Sequence, residues 1–258
     1  MMKVFKESKV YSLFAALFWL SVGLAFCIMA FTGVLVKIYT GLPETDLIKA
    51  MDSDKILSVE YRDMPDFFVK SVAANFDPCY FTHKGIDFQG LYKYVSENLL
   101  LGNKNIEYTP TITERVARMA LEKVGQPEKL KSFFGGESSF FQEYIERLRE
   151  SMLAFKMELK LGKGKIFEIY ANNSEFEGKK GIIEAATAYF NKRPVELTSS
   201  ECAILSSMLK NDTKKELNKN AETAQKIKKQ TLYNMKKAGF INETEFNEIN
   251  CDNVKFNY

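Results

Sequence analysis

At 258 residues with a formal net charge of +3, the chain is long enough to bury one or two proper cores and too weakly basic to argue for a nucleic-acid partner. It carries no zinc-finger, Walker or dinucleotide signature, and its four cysteines, Cys27, Cys79, Cys202 and Cys251, form no CxxC pair, so neither a metal site nor a disulfide framework is indicated. Cys27 lies in an apolar run; the other three are an odd number and cannot all pair within one chain.

The first predicted element is the most strongly marked. Between Lys9 and Lys37 the run VYSLFAALFWLSVGLAFCIMAFTGVLV contains no charge. At about 1.5 Å per residue it exceeds the roughly 30 Å hydrocarbon core. This predicts a transmembrane anchor over 10–36 behind a cytoplasmic segment 1–9. The competing reading is a cleaved signal peptide, but its apolar core runs to only about 15 residues. Lys3, Lys6 and Lys9 precede the span against Lys37 and Lys49 after it, which favours a cytoplasmic N-terminus and places the rest beyond the membrane.

Residues 37–62 read as a linker or membrane-proximal segment, and 63–258 as a mainly α domain with a lysine-rich C-terminal helical extension. Apolar residues recur at helical spacing in FFVKSVAANF, FQGLYKYVSENLL, ITERVARMALEKV and the run from Phe140 to Leu161. Thr111 with Glu114, Thr198 with Glu201 and Asn242 with Glu245 have capping-box spacing, and Asp87 suits an N-cap before FQGLYKYV. Strand-like alternation is not sustained anywhere. In 143–161, Ile145, Leu148, Met152, Phe155 and Leu159 form one apolar stripe and Leu153, Ala154 and Met157 another, which predicts a helix buried on two faces. Glu150 falls near the second stripe with Arg147 one turn before it; an intrahelical ion pair is the structural reading of that spacing. Residues 210–237 hold nine lysines against three acids, suited either to anionic headgroups or to a solvated helix face.

Four stretches carry candidate chemistry: FDPCYFTHKGID (76–87), YTPTITERVARM (108–119), ERLRESMLAFKME (146–158), and IFEIYAN (166–172) continuing through NSEFEGKKGIIEAATAYFNKRPVELTSSECAIL. Together they resemble the peptidoglycan glycosyltransferases of family 51, particularly the monofunctional, single-anchor type, over about residues 63–210. The family's first motif, EDxxFxxHxGxD, is matched at Asp77, His83, Gly85 and Asp87, with Tyr80 for phenylalanine and Phe76 for the leading glutamate. GxSTITQQxxKN is matched at Thr111, Ile112 and Thr113, with Arg118 for lysine and both glutamines replaced. RKxxExxxAxxLE is matched at Glu150, Ala154 and Glu158, with Arg147 for lysine. The fourth stretch is similar to ILELYLN and its continuation without a gap, from Ile166, Glu168 and Asn172 to Glu201.

The resemblance implies a lysozyme-like α fold on the membrane, polymerising lipid II. There the 4-hydroxyl of one lipid-linked sugar attacks the anomeric carbon of another and undecaprenyl pyrophosphate leaves. Attack needs a carboxylate base within hydrogen-bond reach. The resemblance gives that role to the glutamate whose place Phe76 holds, leaving Asp77 as the candidate substitute and Glu150 as the second acid. His83, Thr111, Thr113, Arg118, Arg147 and Asn172 become candidate substrate-binding residues, the cations serving the pyrophosphate. His83, the only histidine, is read either as a proton shuttle or as a residue ordering its loop. No cofactor is identifiable, and the resemblance allows a divalent metal. Expected partners are lipid II or an undecaprenyl-pyrophosphate-linked glycan, the membrane and other cell-wall synthesis proteins, with no nucleic acid. The expectation is a glycosyltransferase-like protein of low or absent activity, or else a binding or scaffold protein. A hydrolase reading would need two carboxylates roughly 5 to 9.5 Å apart, and only Glu150 has a claim.

Overall fold

The computed structural model describes residues 2–44, 58–97, 108–124, 139–209, 221–252 and 254. Contacts divide the chain into two units, Met1–Leu42 and Pro43–Tyr258.

The first unit is one helix, α1 (Met2–Thr40), longer at both ends than the charge-free run. Its segment Leu17–Thr40 has a mean hydropathy of 2.2 and is long and apolar enough to cross a membrane. Ser21 Oγ donates to Phe18 O and Thr32 Oγ1 to Met29 O, so these hydroxyls are satisfied within the helix, as a hydrocarbon setting demands.

The second unit is mainly α, as the periodicity predicts. After a 3₁₀ turn (Tyr61–Asp63) come α2 (Asp66–Phe76), α3 (Phe88–Val95), α4 (Ile112–Val124), α5 (Ser139–Lys160) and α6 (Gly162–Asn173). A short hairpin follows, β1 (Glu175–Phe176) antiparallel to β2 (Lys179–Lys180). Then come α7 (Ile182–Phe190), a second 3₁₀ turn (Pro194–Glu196), α8 (Ser199–Ser207), α9 (Ala221–Lys237) and α10 (Glu243–Cys251). α2 packs on α8 and α9, and α4 on α5 and α6. Between these groups Phe68, fully buried, meets Phe167 edge-on at 6.2 Å and Phe176 at 6.3 Å.

Element boundaries follow local chemistry. α2 stops because Pro78 forbids Asp77 helical angles; Asp77 has φ −158° and ψ 72°. The side chains of Asp87, Thr198 and Asn242 accept from the backbone N–H groups of Gln89, Glu201 and Glu245. Thr111 and Glu114 cap reciprocally: Glu114 N donates to Thr111 Oγ1 at 3.1 Å, and Thr111 N to Glu114 Oε2 at 2.9 Å. The hairpin turns on Glu177 and Gly178, at φ 45° and 87°, the left-handed pair a two-residue loop needs. Its two-residue strands are too short to register as alternation.

Two sequence expectations need correction. α5 is buried on one face: Leu153, Ala154 and Met157 are fully buried, while Phe155 and Leu159 of the other stripe are exposed. Packing on α4 and α6 covers the side of Leu153, Ala154 and Met157; of the other stripe Ile145, Leu148 and Met152 stay half-buried and its C-terminal end is open. The lysine-rich stretch is not uniformly solvated either. Residues 210–220 lie outside the described residues, but Lys228 of α9 is fully buried and donates to Ile249 O and Asn250 O, capping the end of α10. Asn75 of α2 joins the same side of the fold, donating to Ser206 Oγ and Thr231 Oγ1 at 3.1 Å each and accepting from Asn234.

Burial also separates the cysteines. Cys202 is buried in α8 and its thiol is pushed up to about 12, chiefly by desolvation, whereas Cys79 and Cys251 are exposed. Alkylation of the native protein at pH 8 is therefore expected to label Cys79 and Cys251 and to spare Cys202 until denaturant is added. Peptide mapping checks this, and early labelling of Cys202 would contradict the packing of α8.

Candidate functional site

The four motifs, scattered over about a hundred residues of sequence, are laced together by side-chain contacts. Asp77, at the end of α2, is buried; its Oδ1 lies 2.8 Å from His83 Nε2 and its Oδ2 accepts from Ile112 N at 3.0 Å. One carboxylate thus ties the loop after α2 to the first turn of α4, where backbone N–H groups lack helical partners. Thr111 Oγ1 donates to Gly85 O at 2.6 Å, closing the same junction from the other side. Gly85 sits at φ +87° against α5, where a Cβ would come within 2.9 Å of the carbonyl carbon and oxygen of Ala154. The motif glycine and the motif alanine are there to let two backbones touch.

Motif two meets motif three through two further contacts. Thr113 Oγ1 donates to Glu158 Oε1 at 2.6 Å, and Lys163 Nζ reaches the same oxygen at 2.7 Å. Arg118 grips Glu150 with two bonds, Nε to Oε1 at 2.9 Å and Nη2 to Oε2 at 3.2 Å. Thus Glu150, which sequence spacing pairs with Arg147 along one helix, is held in the fold by an arginine from α4; Arg147 itself is exposed. Glu150 keeps 13% side-chain exposure and Arg118 33%. Glu150→Gln would leave Arg118 half-paired, and the partial exposure limits the expected loss to about 1–2 kcal/mol by chemical unfolding.

Motif four faces elsewhere. Asn172 exchanges two hydrogen bonds with the backbone of Val59, Val59 N to Oδ1 at 3.1 Å and Nδ2 to Val59 O at 3.0 Å. One turn earlier Glu168 accepts from Tyr61 N at 3.0 Å and pairs with Lys165. The motif's polar residues therefore clamp the segment leading into the domain. Asn172 also lines an open groove with Lys180, Gly181, Ile183, Glu184, Thr187 and Ala188.

Phe76 ends α2 as a buried ring, 6% exposed, with the Arg115 guanidinium carbon 5.4 Å from its centroid. Sequence reasoning singled out Phe76 and passed over Arg115. The signal was present: Arg115 stands where the second motif-two glutamine would be, so two departures from the family pattern face one another. The carboxylates around them are engaged. Buried Glu114 accepts from Tyr108 Oη at 2.7 Å, Thr111 N at 2.9 Å and Ser151 Oγ at 2.7 Å. The phenols of Tyr108, Tyr80 and Tyr170 are all pushed up, first by burial and, for Tyr108 and Tyr80, next by Glu114 and Glu158 respectively. They remain neutral; Tyr108 Oη donates to Glu114, and Tyr80 Oη donates to Lys163 O at 2.7 Å, with Lys163 Nζ 4.3 Å over its ring.

Loss of the Asp77 carboxylate would disturb two elements at once. Asp77→Asn is expected to lower stability by about 2 kcal/mol, since the bonds to buried Asp77 lose their charge assistance and the amide leaves one oxygen to serve Ile112 N and His83 unless His83 takes its other tautomer. Thermal unfolding of the detergent-solubilised chain measures it, and an unchanged melting temperature would contradict the bridging role.

Among the described residues no three His, Cys, Asp or Glu side chains converge as metal ligands. Asp77, Glu114 and Glu150 each spend both oxygens on protein donors. The described residues therefore offer no ligand set that fits a resident divalent metal.

A family model described as Transglycosylase matches residues 44–236. Penicillin-binding protein 1A of Clostridium perfringens (strain 13 / Type A) is 26% identical over 211 residues, covering 77% of this chain and 29% of the relative. Its namesake from Neisseria flavescens is 30% identical over 181 residues, 69% of this chain and 20% of the relative. That from Rickettsia prowazekii is 25% identical over 207 residues, 78% and 24% respectively. The chain thus spans less than a third of the length of these curated relatives. With the model match covering most of the mainly α unit and all four motifs inside it, the chain belongs to the transglycosylase family.

Proposed function

We propose that this chain is a membrane-anchored, peptidoglycan glycosyltransferase-like protein that binds lipid II and is catalytically impaired. The helix α1 is its anchor, with the N-terminus inside and the domain on the outer face. The observation that carries the reading is the buried Phe76 ring under Arg115 at the place where the family's base belongs. An aromatic ring accepts no proton, and general-base catalysis contributes about 10²- to 10⁴-fold. Asp77 is adjacent in sequence, but His83 and Ile112 N occupy its two oxygens, and moving it would open the junction between α2 and α4. Glu150 holds Arg118, and the exposed Arg147, one turn earlier on α5, is a cation placed toward the pyrophosphate. His83, Thr111 and Thr113 hold that wall in shape through Asp77, Gly85 and Glu158.

The same observation supports a role in which bound precursor is presented to other cell-wall synthesis proteins rather than joined. The test uses the full chain in detergent. Labelled lipid II is expected to bind saturably while no glycan polymer forms; absence of binding would overturn the reading, as would rapid polymerisation abolished by Asp77→Ala.

A further inference from the structure

The pairing of Phe76 with Arg115 has a second side, because it leaves a cation over. Arg115 spends Nε on Pro110 O at 3.3 Å and lays its guanidinium over Phe76. No carboxylate among the described residues forms an ion pair with it, and its two terminal amines have no protein acceptor there. One turn along the same helix, Arg118 is in the opposite state, its charge matched by a bidentate bond to Glu150. An arginine neutralised in this way has little left for a ligand, whereas a half-buried guanidinium lying over a ring, its terminal N–H groups without an acceptor among the described residues, is already oriented and partly desolvated. Stacking also removes the entropy cost of ordering a long side chain when a ligand arrives.

We infer that Arg115 is an anion-binding residue of this site, taking a phosphate oxyanion in bidentate fashion while Phe76 holds its guanidinium in place. The inference rests on the proposed binding of a lipid-linked precursor and names the group by which this chain would hold it. The pyrophosphate has two sources, the intact precursor and the free undecaprenyl pyrophosphate, and both present the same oxygens. The replacement of the family's acid and glutamine would then be one coupled change, which trades a proton acceptor for an anion grip.

The experiment titrates full chain in detergent with lipid II, undecaprenyl pyrophosphate, uncharged undecaprenol and inorganic pyrophosphate. Arg115→Gln is expected to weaken both lipid pyrophosphates and inorganic pyrophosphate by about 10- to 100-fold, the usual worth of a charge-assisted hydrogen bond, and to leave undecaprenol unchanged. Arg115→Lys should recover part of the loss. Phe76→Leu keeps the charge and removes the stack, so about 3- to 10-fold weakening is expected. Lys229→Gln, on the exposed side of α9, is the control and should change nothing. If Arg115→Gln binds pyrophosphate ligands as tightly as the native chain, with an unchanged melting temperature, the inference fails while precursor binding stands. If the native chain does not bind lipid II at all, the functional reading itself fails. Equal weakening by Lys229→Gln would show diffuse surface charge instead of a site, and would also overturn the assignment.

Discussion

Phe76→Glu combined with Arg115→Gln is expected to raise lipid II polymerisation by about 10²- to 10⁴-fold over the native background, whereas Phe76→Glu alone is expected to stay within about tenfold of it. The difference comes from the neighbour. A glutamate at 76 would inherit a site that is 6% exposed and has a guanidinium 5.4 Å from the old ring centre. Burial raises a carboxylate's affinity for protons and an adjacent cation lowers it. In the single variant the cation wins, because the new acid and Arg115 can close into an ion pair that both weakens the base and turns it from the cleft. Removing the arginine leaves burial unopposed, which is the condition a general base requires. The gain should appear in kcat, and loss of the Arg115 anion contact should raise KM, so the two steps separate in one experiment. Gel analysis of the glycan products measures it. Equal rates for single and double variants would show that Arg115 does not govern this position.

The second large effect is structural. Gly85→Ala is expected to destabilise the domain by about 3 kcal/mol or more, because two penalties coincide at one atom. A φ of +87° is strained for any side chain, and the added methyl would stand 2.9 Å from the Ala154 backbone, which cannot rotate aside. Relief would require the loop after α2 to lift off α5, breaking the bond from Thr111 Oγ1 to Gly85 O. Gly178→Ala makes an informative comparison. That glycine has the same φ of +87° but nothing near its added Cβ, so only the backbone term applies and about 1 kcal/mol is expected. Urea unfolding of both variants checks the ranking, and a Gly85→Ala loss no larger than that of Gly178→Ala would contradict the close contact.

Much of this architecture could be read from residue order because it is local. The helices announce themselves by spacing and by caps such as Thr198 with Glu201, whose chemistry is complete within four residues. Pro78 signals that Asp77 leaves the helix for the same reason: its effect reaches one residue back. What stayed illegible is pairing at a distance. Nothing in the spacing of 143–161 says that Glu150 meets Arg118, or that Phe155 and Leu159 lack cover, since both depend on which helices lie alongside α5. Lys228 shows the limit plainly: a lysine in a basic run reads as solvated until α10 ends beside it. The candidate residues Asp77, Thr111, Thr113, Glu150 and Arg118 were legible as a set only through family likeness, and their mutual contacts required the fold.

The clamp that Asn172 and Glu168 place on the backbone at 59–61 bears on how such chains are sorted from sequence. Those residues fasten the backbone of the incoming segment, a task separate from any reaction. A pattern search keyed to them will therefore gather working polymerases and silent relatives into one bin. On the proposed function, the letters that would tell the two apart are those facing each other at 76 and 115.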